Sequence, residues 1–158
     1  MIKKKVNITV KTRQSDYVDI NEKKTNEQVE GEDTRAEIFS EGELAVTEDG
    51  SVTLSYDESE LTDVPFSLTS LHFNKENPEL VTLMRSGQFR VAMVFEPYSR
   101  HICVYETPYM PIEMCIATHS LTNAIGEDGG SLFVRYSIET NGMRCELATI
   151  EMDVSPVD

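Results

Sequence analysis

MVFEPYSRHICVYETPY, residues Met93 to Tyr109, decides the fold. Phe89, Val91, Met93 and Phe95 recur at every second position, so one face of this stretch is large and apolar. Ala92 and Val94 on the other face are also apolar, which fits a strand shielded on both sides or pressed against a partner. Pro97-Tyr98-Ser99-Arg100 interrupts the pattern, and a proline, with fixed φ and no amide donor, fits a turn better than mid-strand. Alternation resumes at His101: Ile102 and Val104 lie on one face, Cys103, Tyr105 and Thr107 on the other. A period of two shows that there are two faces, and does not decide which one points inward. Pro108 and Pro111 bracket a corner before the next strand begins at Ile112. The block reads as the central β-hairpin of a core.

Working outward, the same period recurs along the chain. Val6, Ile8 and Val10 form a first strand, opposed by Lys3, Lys5, Thr9 and Lys11. This basic, alternating start reads as a strand and not as a signal peptide. Gln14 to Asp33 is polar, has few apolar anchors and no sustained period, and is expected to be a long mobile loop over 14–33. Ala36, Ile38, Gly42, Leu44 and Val46 keep one parity, with Ser40 and Gly42 marking an expected bend or bulge. Asp49-Gly50 is a hairpin turn. Val52, Leu54 and Tyr56 follow, and Asp57 to Val64 is an acidic turn ended by Pro65. Phe66 and Leu68 share one parity while Leu71 and Phe73 share the other, so the phase slips near Thr69-Ser70. Val81, Leu83 and Arg85 alternate, as do Ile112 to Thr118, Leu132 to Ile138 and Ala148 to Val154, with turns at Asp128-Gly129-Gly130 and Asn141-Gly142.

The sum is about ten strands joined by short turns, with no helical period. Sequential antiparallel strands must bury one face and hide their edges. A closed up-and-down barrel of about 8–10 strands does both, and a two-sheet sandwich is the second choice. The 158 residues, 39% hydrophobic, suffice for one domain spanning 1–158. No apolar run of 18 residues is present, so no membrane-spanning helix is expected. Cys103, Cys115 and Cys145 show no paired or CxxC spacing, which points to a reducing, cytoplasmic setting.

The net charge of −14 argues against nucleic acid and anionic lipid as partners. It is concentrated: residues 16–63 hold sixteen acids and three bases, and the remainder is close to balance. A solvated face explains this, and an acidic surface for a basic partner, as in a protein-interaction module, or for a cation is the sharper alternative.

Several motifs resemble the YwiB-like bacterial proteins: SYDESELTD (Ser55–Asp63), LMRSGQ (Leu83–Gln88), MVFE (Met93–Glu96), RHICVYETPY (Arg100–Tyr109) and EDGGSLFVRYSIETNG (Glu127–Gly142). The resemblance runs from about Lys4 to Val154. It implies a domain of unknown function with a lipocalin-like (calycin) barrel and a cytoplasmic location, and it transfers no activity. Met110-Pro111 stands where the family has a glycine after the tyrosine, and the 14–33 link is longer than the family's. Calycin relatives often hold small apolar ligands inside the barrel, which is an analogy of fold.

Candidate chemistry is sparse. Arg85 lies in an apolar parity, and an inward guanidinium needs a carboxylate or phenol partner. Glu58, Glu60 and Glu106, or Tyr56, Tyr105 and Tyr136, could supply it. Arg85 then reads as an anion anchor, as a structural cation closing the barrel end, or as a strand-end residue in solvent. His72, His101 and His119 are far apart, and His101 with Cys103 makes neither a metal site nor a nucleophile–base pair. The expectation is a non-enzymatic barrel with no metal or cofactor. A small-molecule ligand would contact Tyr56, Arg85, Met93, Tyr105, Thr107 and Tyr136.

Overall fold

The computed structural model describes residues 1–16, 33–57, 66–140 and 143–157. Ten strands follow in chain order: β1 (Ile2–Asp16), β2 (Asp33–Val46), β3 (Ser51–Asp57), β4 (Phe66–Asn74), β5 (Asn77–Gly87), β6 (Val91–Phe95), β7 (Arg100–Glu106), β8 (Pro111–Asn123), β9 (Gly130–Thr140) and β10 (Met143–Pro156). They form one sheet in the order β6-β5-β4-β3-β2-β1-β10-β9-β8-β7, all antiparallel. Each strand therefore lies beside its neighbour in sequence, and β1 pairs with β10. The sheet nearly closes between β6 and β7 through one two-bond bridge: Arg90 N donates to Glu106 O (2.9 Å) and Glu106 N to Arg90 O (2.7 Å). This is the up-and-down barrel expected from the alternation. Among the described residues there is no helix, and hence none long and apolar enough to cross a membrane.

The core is the inner wall. Val6, Ile8 and Val10 on β1 meet Leu44 and Val46 on β2, Val52 and Leu54 on β3, and Met152 and Val154 on β10, all buried. The expected central hairpin is not one: β6 and β7 stand at the two ends of the strand order and share only the Arg90–Glu106 bridge, because each spends its ladder on its other neighbour, β5 and β8. Val91, Met93 and Phe95 on β6 are buried, as the parity requires. The open question on β7 is settled by closure: Cys103 is buried, while Ile102 is 71% and Val104 45% exposed. The turn between β6 and β7 places Tyr98 at φ 62°, with Ser99 N donating to Glu96 O.

Three further expectations need correction. The first two strands do not stop at residues 13 and 34, because Gln14 pairs with Thr34 and Ser15 with Asp33. A continued cross-strand ladder holds these polar residues in a strand although they have no apolar anchor. The rest of the expected 14–33 loop, the acidic turn after Asp57 and the Asn141-Gly142 turn lie outside the described residues. On β4 the irregularities fall at Phe66/Leu68 and at His72/Asn74, not at Thr69-Ser70. Leu68 is thereby exposed, and Thr69 joins Leu71 and Phe73 inside. At Gly42 the pairing with β1 runs through without a bulge. The glycine is needed for space, since a Cβ there would run into the Ser55 carbonyl and the Ile8 side chain.

Candidate functional site: the barrel interior

The register builds the site. Gly42, Tyr56, Thr69, Arg85 and Val91 are successive cross-strand partners from β2 to β6. On the opposite wall Thr118, Tyr136, Ala148 and Gln14 form a corresponding row across β8, β9, β10 and β1. Between the two rows lies a cavity of about 390 Å³. Its lining includes Tyr56, Arg85, Met93, Tyr105 and Tyr136, so the barrel brings together five of the six side chains singled out from the sequence. The volume falls within the range of about 300–1,000 Å³ that suits small-molecule pockets.

Thr107 is not part of the lining. Strand β7 ends at Glu106, so the parity shared with Cys103 and Tyr105 no longer applies at Thr107. Its hydroxyl instead ties the Pro-containing corner, donating to Met110 O (2.8 Å) and accepting from Met110 N (3.1 Å) and Tyr109 N (3.2 Å).

The walls hold the polar groups in place. The Tyr136 ring is buried and lies 4.8 Å from Phe95, tilted by 55°. The Tyr105 ring meets Phe89 edge-on at 5.5 Å. Burial raises the Tyr136 and Tyr105 hydroxyls above the usual phenol value, and the nearby Arg85 guanidinium pulls both partly back. Arg85 therefore sits within electrostatic reach of two neutral phenols. Of its other suggested partners, Glu106 is exposed at the β6–β7 bridge, and Glu58 and Glu60 lie outside the described residues. Thr69 is 1% exposed, and its Oγ1 is buried without a hydrogen-bond partner among the described residues.

The sequence reading missed Thr69 because Leu68 suggested the opposite parity. It also missed Thr12, Gln14, Thr34 and Ile38, which line the same cavity. The even-numbered parity of Val6, Ile8 and Val10, continued for two more steps, would have found Thr12 and Gln14.

The histidines and cysteines have separate settings. His72 bonds Thr53 (3.2 Å) and Ser70 (3.0 Å), His101 bonds Glu96 (3.1 Å), and His119 bonds Ser137. Among the described residues no group of three or more His, Cys, Asp or Glu side chains converges on one point. Cys103 and Cys115 are free thiols. Burial, with a smaller contribution from Cys115, pushes the Cys103 thiol up to about 11 from 9.0. The folded state thus holds this proton more tightly than the unfolded chain. The associated stability is complete below pH 9.0, and it is lost as the pH rises toward 11. In a Cys145→Ser background, a thiol reagent at neutral pH is expected to modify half-buried Cys115 first. Cys103 should react at the rate of unfolding. Equal native rates for both would contradict this.

Fold and cavity together define a ten-stranded, all-β barrel with an amphipathic interior pocket. Comparison with known proteins places it more closely. The family described as Domain of unknown function (DUF1934) matches residues 18–153, and the chain belongs to that family. Its structure is similar to the crystal structure of ywiB protein from Bacillus subtilis, with a TM-score of 0.69 at 18% identity, covering 96% of this chain and 92% of the other. At that identity the likeness concerns the fold. The curated proteins contain no match.

Proposed function

We propose that this chain is a non-enzymatic, cytoplasmic barrel that binds a small amphipathic anion in its interior. The observation that carries the reading is the cavity itself, with Arg85 and three tyrosines on its walls. The anionic group would face Arg85, since hydrogen bonds to a charged partner are the strong ones. Tyr105 and Tyr136, kept neutral by burial, would donate to the same group. The ligand body would lie against Val10, Ile38, Leu83, Met93 and Met152. A polar acceptor on that body would meet the Thr69 hydroxyl, which has no partner among the described residues.

The test is native mass spectrometry of the protein purified from cells, compared with its denatured mass. A bound small mass, lost in Arg85→Ala, is expected, with affinity for the recovered compound falling by about 10- to 100-fold. Thr69→Val should weaken the same compound by about 3- to 10-fold while leaving the melting temperature unchanged or higher. Removing a buried hydroxyl with no partner among the described residues forfeits no hydrogen bond there. A compound that binds wild type and Arg85→Ala equally would refute the anchor. An interior that excludes every small anion tried would refute the pocket.

A further inference from the structure

The outer face of β4 to β7 differs from the rest of the barrel's exterior. On β5 and β6 the odd-numbered residues are the buried ones, so Met84 and Ala92, which are cross-strand partners, point outward, as do Thr82 and Val94. Ile102 and Val104 continue this surface on β7, across the seam that the Arg90–Glu106 bridge closes. Met84 is 47%, Ile102 71% and Val104 45% exposed. Tyr98 and Tyr109, in the turns at either end of β7, are 93% and 91% exposed. Among the described residues, nine of the fourteen exposed large apolar or aromatic side chains lie between Leu68 and Ile112. The exposure is therefore gathered on adjacent strands and not scattered, which is the pattern of an interaction surface.

The same strands are electrically neutral. Residues 66–106 hold four acids and four bases, so the whole net charge of −14 lies elsewhere in the chain. The polar groups of this face also have partners at hand. Arg100 bonds Glu139 at 2.7 Å, Glu96 bonds His101 at 3.1 Å, and Arg90 stands opposite Glu106. His72 on β4 bonds both Thr53 and Ser70. Such a face calls for neither a counter-charge nor a hydrogen-bond donor, and depletion of charge at the centre with tyrosine and methionine around it is the composition of an interface core. In a strongly acidic molecule this narrows the partner. A basic protein would be drawn to the acids concentrated in residues 16–63 and not here. Two copies of this chain repel one another wherever their acids meet, and this face is where they approach without apposing like charges. A two-fold contact, in which each copy presents the same patch, is the commonest symmetric solution. Four strands about 4.8 Å apart and about six residues long span roughly 400 Å² in projection. A standard interface covers about 800 Å² of accessible surface per partner, so the turn side chains have to contribute and the contact falls in the weak class.

We propose that this face is a self-association surface, on which two copies of the chain meet about a two-fold axis near Ile102, with the turn tyrosines at the rim. The proposal does not depend on the barrel interior. The experiment is sedimentation equilibrium of the full chain from about 1 µM to about 300 µM, at low and at high salt. A reversible dimer with a Kd on the order of 10–100 µM is expected. Salt should strengthen it, because screening weakens the repulsion between two bodies that each carry −14. Ile102→Glu and Ile102→Lys should each weaken association by at least about tenfold and keep the wild-type melting temperature, since this side chain is in water in the single copy. Mixed in equal amounts, the two variants should associate again, because residue 102 of one copy faces residue 102 of the other; a folding defect would not be repaired in this way. Met84→Glu probes the same face and should act in the same direction. A chain that stays monomeric at the highest concentration in high salt would overturn the proposal. So would a dimer that Ile102→Glu and Met84→Glu leave intact, a dimer that salt dissociates, or a mixture of the two Ile102 variants that stays monomeric. A monomer that Ile102→Glu destabilises would show the face to be covered within its own chain, which also overturns it.

Discussion

Phe95→Ala is expected to destabilise the barrel by about 3–5 kcal/mol, the usual cost of removing a buried phenylalanine. Phe95 is 1% exposed and is the largest of the fully buried side chains. It ends β6, pairs with Val81 on β5 and packs on the Tyr136 ring across the interior. Strand β6 has only five residues, and on its free side the barrel is joined to β7 by a single bridge. The backbone there is held by the β5 ladder and by the short turn after Phe95, so it cannot collapse readily into the lost volume. The measurement is the urea midpoint at constant slope, since a changed slope would mean that the barrel itself had opened. Phe95→Leu should cost less than half as much. If alanine costs under about 1 kcal/mol, the contact between Phe95 and Tyr136 is not a keystone of the core. The same variant should also disturb the ligand binding proposed for the interior, because Tyr136 loses the ring packed against it.

The second large effect is expected at Gly42. Gly42→Val should cost on the order of 3 kcal/mol, at the upper end for overpacking. By strand propensity alone valine should improve this position. Gly42 does not occupy the left-handed region, so the glycine is not there for its backbone freedom. The obstacle is contact: a Cβ would meet the Ser55 carbonyl, the Ile8 side chain and, at 3.2 Å, the Cβ of Tyr56. The carbonyl belongs to the β2–β3 ladder, where Glu43 pairs with Ser55 and Gly42 with Tyr56, and it cannot withdraw without breaking that pairing. Ile8 is 1% exposed and has little room to turn. Tyr56 stands one step along the row that leads to Thr69 and Arg85, so displacement would reach the cavity wall. Thermal unfolding of Gly42→Ala and Gly42→Val checks this, with both below wild type and valine the lower. A neutral or stabilising valine would refute the packing argument.

Much of the architecture could be read from the chain. Alternation at positions such as 89–95 and 132–138, broken by Asp-Gly and Pro-containing turns, is a local signal, and it gives strand number and order because, apart from β6 and β7, each strand pairs with its sequence neighbour. Arg85 among Val81 and Leu83 was legible for the same reason: a charge in an apolar parity stands out without any structure. The motifs that resemble the YwiB-like proteins were sufficient for the family.

Closure of the barrel decided the rest. A period of two leaves the choice of inner face open, and on β7 that choice came from packing against β6 and β8, which put Cys103 and Tyr105 inside and Ile102 in water. Two irregularities on β4 exchanged Leu68 for Thr69 on the inner wall. The end of β7 released Thr107 to the corner. Neither the row from Gly42 to Arg85 nor the meeting of Met84 and Ala92 with Ile102 and Val104 on one outer face is visible in sequence, because each joins residues from strands whose relative register is set only when all ten are assembled. Local chemistry determined the strands of this protein; the way they close determined what its two faces present.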